Sequence, residues 1–339
     1  MKFLHVVSVS SGKDSQATML LAIERCGVEN CRFVFADTGN EDATVFAHLD
    51  YLRSALGIEI DVLRSNFSEQ IAAKREFIAR DRRTGRKYDT IKIPDGLDAE
   101  GKPCFRKRKV GGGHRVRWTN KAKRRALSVL HPTGNPFLDL CLWKGRFPSR
   151  MMQFCTHELK TLPLVEYQMR LMDEGYGVIS WQGIRRNESA KRKDAKLIER
   201  IGRRLWVFRP IILWTAQQTI DYCTQRGVQV NPLYAQGFDR VGCMPCINCG
   251  KKEINNIGLR RPAVIDRVAQ WEQAVGMASK HGESTFFPNP HRDAHLGKRG
   301  ISQMVRWAKT TRGGKQFALV EEAPDAEACS SSYGLCDKG

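Results

Sequence analysis

The chain reads as an α/β protein: a doubly wound parallel sheet carrying a basic insertion and a helical C-terminal region. Three observations lead to that class. An apolar run, Phe3 to Val9, passes straight into a small-residue loop and then a helix face. Short apolar runs then alternate with helical stretches to about residue 79. The alternation resumes at Asn135, after a long stretch in which no period holds.

The first unit is the most informative. Phe3–Val9 suits a strand buried on both faces. From Gln16 to Arg25, Met19, Leu20 and Ile23 fall on one helical face. Between them lies Ser10-Ser11-Gly12-Lys13-Asp14-Ser15. Small side chains let backbone approach an anion, and N–H groups at a helix start point at it. Lys13 adds a point charge, and Ser10, Ser11 and Ser15 add hydroxyls. The spacing is not that of a Walker loop. An ordinary strand-to-helix turn is the plain alternative. Asp14 beside Lys13 favours a nucleotide phosphate with bound Mg²⁺.

The second strand, Cys31 to Ala36, ends at Asp37-Thr38-Gly39-Asn40. Ligands of open parallel sheets sit beyond the carboxyl ends of strands. Asp37 is therefore expected near the first loop, holding Mg²⁺, a ribose or an adenine edge, unless it serves only as a cap. A helix from about Ala43 to Leu56, a strand from Glu59 to Leu63 and a helix from Phe67 to about Ala79 complete the half-sheet. Further on, a helix begins near Cys155 or Thr156 and runs to Glu174. A strand from Tyr176 to Trp181 leads to Arg185 and Arg186, placed for phosphate or sulfate, or else for pairing with Glu188. Leu205–Phe208 is a strand, Thr215 caps a helix from Ala216 to Arg226, and Asn231-Pro232-Leu233-Tyr234 is a turn. Val264, Ile265, Val268, Trp271 and Val275 form a core stripe.

Charge points to a partner. The 339 residues carry a net +20, with a pI of about 9.7. Between Lys74 and Arg125 there are 19 lysines and arginines against 6 acids, a net of +13. Residues 80–133 therefore read as an insertion, partly flexible, lying on a nucleic-acid backbone through residues 80–125, with Trp118 stacking on a base. A solvated loop without ligand is the alternative. No apolar run is long enough to span a bilayer and Met1-Lys2-Phe3 enters a strand directly, so a soluble, cytoplasmic protein is expected, with no membrane partner.

Eleven cysteines, three of them packed as Cys243, Cys246 and Cys249, argue for metal or thiol chemistry, not a secreted disulfide frame. Their spacing suits zinc or an iron–sulfur cluster. Cys155 stands at a helix start, where a thiolate is favoured.

The Ser-Ser-Gly-Lys-Asp-Ser loop resembles the pyrophosphate-binding loop of the adenine-nucleotide alpha-hydrolases, usually Ser-Gly-Gly-Lys-Asp-Ser, with Ser11 in place of the first glycine. Successive blocks resemble the phosphoadenylyl-sulfate (PAPS) reductase family. They are Asp37-Thr38-Gly39, Cys155-Thr156 with Lys160 and Pro163-Leu164, Trp181 to Ser189, Asn231–Tyr234 and Arg240–Cys246. The resemblance implies a nucleotide-binding domain over residues 1–250; outside it, the sequence itself reads as a helical extension over 251–320 and a flexible cysteine-containing tail over 321–339. It implies that Lys13 and Asp14 act on ATP, or on PAPS, and that Cys155, Cys243, Cys246 and, as fourth ligand, Cys249 hold a [4Fe–4S] cluster, since Thr156 replaces the family's second helix-start cysteine.

The reductases end in Glu-Cys-Gly-[Ile/Leu]-His; this chain carries Cys329 and Cys336 instead, with Tyr333 at the nucleophile's place. Retention of Lys13-Asp14 places the chain nearer the family's ATP-using members. The expected function is α-phosphate activation with pyrophosphate release and sulfur transfer to nucleic acid. A sulfur donor or thiol reductant protein would be the further partner. The alternatives are a sulfite-releasing reductase using Cys329 and Cys336, and a non-catalytic zinc- and nucleic-acid-binding protein.

Overall fold

The computed structural model describes residues 2–97, 100–189, 192–288 and 300–310. The tail cysteines Cys329 and Cys336, expected as nucleophiles, lie outside the described residues. The first half-sheet follows the apolar pattern: β1 (Phe3–Val9), α1 (Lys13–Cys26), β2 (Cys31–Asp37), α2 (Ala43–Leu56), β3 (Ile60–Arg64) and α3 (Ser68–Arg80). Asp42 caps α2 through the Thr44 N–H, and Gly57 closes it in a left-handed conformation.

The basic stretch differs from expectation. It is ordered as a two-stranded antiparallel ribbon, β4 (Arg86–Leu97) and β5 (Pro103–Arg115), followed by α4 (Asn120–Val129). Alternation is missing from its sequence because both faces meet solvent: no residue of either strand is buried. Trp118 is no stacking platform. It is 7% exposed and belongs to the main core. Its backbone N–H donates to Asp81, which also accepts from the Arg83 side chain at 2.8 Å. Trp118→Ala should therefore cost about 3–5 kcal/mol by leaving a cavity, read as a lowered thermal midpoint.

The second half runs through α5 (Pro136–Lys144), α6 (Phe154–Thr156), a π turn (His157–Thr161), α7 (Leu162–Asp173), β6 (Gly177–Trp181), β7 (Ile198–Arg200) and β8 (Leu205–Phe208). It ends in α8 (Ala216–Gln225), α9 (Lys251–Arg260), α10 (Pro262–Ala278) and α11 (Ile301–Ala308). The helix expected from Cys155 to Glu174 thus contains a π turn, and β7 is a short antiparallel edge strand absent from the sequence reading. The strand order is β3-β2-β1-β6-β8-β7. β1 pairs in parallel with both β2 and β6, so the chain reverses direction across the sheet between β1 and β6. In open α/β sheets that reversal is the ligand crevice. One continuous core runs from Val7 on β1 to Ala308 on α11, so the helical end packs on the same core as the sheet. No helix among the described residues is long and apolar enough to cross a membrane.

Candidate active site

The loop after β1 is held by its own hydroxyls. Ser15 Oγ donates to the Gly12 carbonyl at 2.9 Å and accepts from the Ser10 N–H and the Ser10 hydroxyl, both at 3.0 Å. Ser11 adopts φ 64°, the left-handed region that glycine takes freely, which accounts for the usual glycine at this place in the resembling motif. Its hydroxyl accepts from Asn231 Nδ2 at 2.7 Å. The three serines therefore frame the loop, where the sequence suggested hydroxyls facing a ligand. The turn Asn231–Tyr234 is a latch, since Tyr234 Oη also accepts the Lys13 N–H at 3.1 Å.

Lys13 opens α1 and is only 3% exposed. Its ammonium lies over the Tyr234 ring, 5.1 Å from the centroid. Among the described residues it has no carboxylate partner. Gly12 supplies no side-chain cap to the helix start. A buried cation without a counter-charge is costly, and an uncapped helix start adds positive potential at the same point.

The two aspartates expected to hold Mg²⁺ are matched to arginines. Asp14 Oδ1 accepts from Arg185 Nε at 2.8 Å in an ion pair whose side chains are 0% and 3% exposed. Asp37 Oδ2 accepts from Arg64, and Asp37 Oδ1 takes the Gly39 N–H at 2.8 Å. As placed, each carboxylate has one oxygen committed to an arginine. Arg185, expected for phosphate or sulfate, reaches the loop across the crevice from β6 and meets Asp14 there. Gly183 makes the approach feasible, because a Cβ there would sit 2.8 Å from the Asp14 carbonyl oxygen. Arg186 does not come: it is exposed and donates to the Ala195 carbonyl. Glu188 instead accepts from Arg192 and from the Arg185 N–H.

A small cleft beside the loop is lined by Val9, Ser10, Phe35, Ala36, Glu41, Lys160 and Gly242. Glu41 and the Asp37-Thr38-Gly39 turn join it to the cysteine segment. Thr38 Oγ1 donates to Glu41 Oε1 at 2.6 Å, and Cys243 Sγ lies 3.5 Å from Thr38 Oγ1 and donates to Glu41 Oε1 at 3.7 Å. Burial pushes the Glu41 carboxyl above the usual carboxylate range, against the Thr38 hydrogen bond and the Lys160 charge. Glu41 escaped sequence reasoning because a single acid after a strand looks like a cap. Lys160 sits on the π turn, a distortion that often marks functional positions.

The four-thiolate site is not assembled. Cys246 N–H donates to Cys249 Sγ at 3.1 Å, Cys243 turns toward Glu41, and burial drives the Cys249 thiol well above its ordinary value, with Glu253 beside it adding to the effect. Among the described residues, no three or more His, Cys, Asp or Glu side chains are gathered to hold a metal. The donors as placed fit neither a [4Fe–4S] cluster nor tetrahedral zinc.

Beneath the loop, Gln16 donates to the Gln229 carbonyl and accepts from His48 Nε2 at 3.1 Å. Burial lowers the His48 pKa to about 4. The unfolded chain therefore takes up a proton near pH 6.5 that the folded chain refuses until about pH 4. Stability should fall as pH drops through that window, by about 3 kcal/mol in all. His48→Gln should flatten the fall in pH-dependent urea unfolding.

This geometry defines a doubly wound α/β protein with a buried lysine, without a carboxylate partner among the described residues, at the switch point of its sheet. The chain belongs to the phosphoadenosine phosphosulfate reductase family: that domain model matches residues 4–249. A 37.8 kDa protein of Escherichia phage 186, described as uncharacterized, is 41% identical over 98% of this chain and 97% of its own length. The phosphoadenosine 5'-phosphosulfate reductase of Gloeobacter violaceus is 37% identical over 20% of this chain and 28% of that enzyme. A crystal structure of a PAPS reductase from Candida auris, in complex with phosphate, covers 73% of this chain and 83% of its own, at 12% identity and a TM-score of 0.38.

Proposed function

We propose that the chain is an enzyme that binds ATP at the Ser10–Ser15 loop, activates a substrate at the α-phosphate and serves sulfur transfer to nucleic acid. The observation that carries this reading is Lys13, buried to 3% exposure with no carboxylate partner among the described residues, at the switch point of the sheet. A substrate oxygen attacks the α-phosphorus, the bond to the bridging oxygen breaks, and the electron pair leaves with pyrophosphate. Lys13 and the start of α1 stabilise the charge that grows on that leaving group. A sulfur nucleophile brought by a thiol donor then attacks the substrate atom that bears the activated oxygen; its bond to sulfur forms, its bond to that oxygen breaks, and the oxygen and its electron pair leave with AMP. The net +13 between Lys74 and Arg125 supports a nucleic acid as the acceptor. No step is assigned to a cluster or to Mg²⁺, because the cysteines and aspartates are placed otherwise.

The test is pyrophosphate release from ATP by purified protein, with and without nucleic acid, and competition between ATP and PAPS for binding. Release of pyrophosphate is expected, with ATP binding ahead of PAPS. Sulfite released from PAPS, with no pyrophosphate from ATP, would replace this reading with the reductase activity for which the shorter-matching relatives are named.

A further inference from the structure

We propose that the β4–β5 ribbon is a duplex-DNA arm, whose lysine face of Lys92, Lys107 and Lys109 grips the phosphates of B-form DNA. This rests on the nucleic-acid reading above and names the form of nucleic acid and the surface that meets it.

The register sets the faces. Thr90 opposes Lys109, Lys92 opposes Lys107 and Pro94 opposes Phe105. Directly opposed residues share a face, and so do alternate residues along a strand. Lys92, Lys107 and Lys109 therefore stand together, and no acid falls on that face between Thr90 and Pro94 or between Phe105 and Lys109. Asp89 opposes Val110 on the other face, and Asp95 pairs with Arg106 at 3.5 Å. Like charges directly opposed across a ribbon destabilise it. This ribbon has two such pairs, Lys92 with Lys107 and Arg86 with Arg115. It also buries none of its residues, and an isolated two-stranded hairpin is marginal in water. A polyanion lying on the lysine face removes both liabilities.

The base of the ribbon is fixed to the body. Arg83 bonds Asp81 and the Val116 carbonyl, and Lys280 donates to the Arg115 and Val116 carbonyls at 2.8 and 2.7 Å. Strands of 12 and 13 residues reach about 40 Å, a little more than one turn of B-DNA. The B-form major groove, about 12 Å wide, admits a two-stranded ribbon. The deep, narrow major groove of A-form RNA does not. Single strands are held on rows of stacked aromatics. Here Trp118 is in the core, Tyr88 is half-buried with Lys109 over its ring, and Phe105 alone on the two strands is an exposed aromatic.

The experiment is fluorescence anisotropy on the full chain with a DNA duplex about two helical turns long, the matching single strand and the matching RNA duplex, each across a salt series. The DNA duplex should bind best. In Lys92→Gln/Lys107→Gln/Lys109→Gln the slope of log affinity against log salt should fall by about 2–3, at roughly 0.9 per phosphate contact. The corresponding triple arginine variant should keep the wild-type slope, and neither variant should melt below the wild type. Duplex binding with an unchanged slope in the glutamine variant, or tighter binding of single strand or RNA by the wild type, would overturn the ribbon assignment alone. A wild-type chain that binds none of the three would overturn the nucleic-acid reading with it.

Discussion

Lys13→Met is expected to abolish ATP-dependent pyrophosphate release while the protein becomes as stable as before or more stable. The two effects run in opposite directions because one charge produces both. In the unliganded fold the ammonium is 3% exposed, sits over the Tyr234 ring and meets no carboxylate among the described residues. Desolvating an ammonium-sized ion costs several kcal/mol in proteins, and an aromatic face returns about 2 kcal/mol. Methionine keeps the length and the contact with Tyr234 without that cost. In the reaction the same ammonium faces the departing pyrophosphate, where one well-placed donor is worth about 10²–10³ in rate. A pyrophosphate assay and a thermal melt on the same preparation decide the matter. Loss of activity together with a fall in the melting midpoint would make Lys13 a structural residue.

Much of this arrangement is legible in the amino-acid order, and what is not has physical causes. Phe3–Val9, Cys31–Ala36 and Tyr176–Trp181 announce their strands because each is apolar on both faces, as a covered parallel sheet requires. The ribbon was hidden for the converse reason. Arg86–Leu97 and Pro103–Arg115 bury nothing, so no period of two marks them. Trp118 looked like part of a basic surface because its neighbours Arg117 and Lys121 are charged; its indole turns inward from the same stretch of backbone. The loop Ser10–Ser15 was readable as an anion cradle from its small residues and Lys13. Its fastenings were not, because Asn231 and Tyr234 arrive from more than two hundred residues away. The cysteines are less legible: regular spacing in sequence suggests one centre, while Cys243 lies against Glu41 and the Cys246 N–H donates to Cys249 Sγ within one turn. Spacing constrains which side chains can converge, and the turn that carries them decides whether they do.

Removing one side of the Asp14–Arg185 pair should be the most destabilising single change at the site. Both side chains are buried, at 0% and 3% exposure, and they join the first turn of α1 to the segment after β6. Arg185→Met leaves a carboxylate in a desolvated crevice, at a cost of about 3–5 kcal/mol. Asp14→Asn should cost less, because the amide oxygen still accepts from Arg185 Nε while the arginine also donates to Asn187 Oδ1. The double variant Asp14→Asn/Arg185→Met should recover much of the loss, since no uncompensated charge then stays buried. Chemical denaturation of the four proteins gives the coupling directly. A cycle that closes additively would mean that the pair is not interacting across the crevice. Strong coupling would mean that the start of α1, and with it Lys13, is positioned from the far side of the switch point. The β6 segment then sets where the leaving pyrophosphate finds its charge, although β6 and α1 share no stretch of sequence.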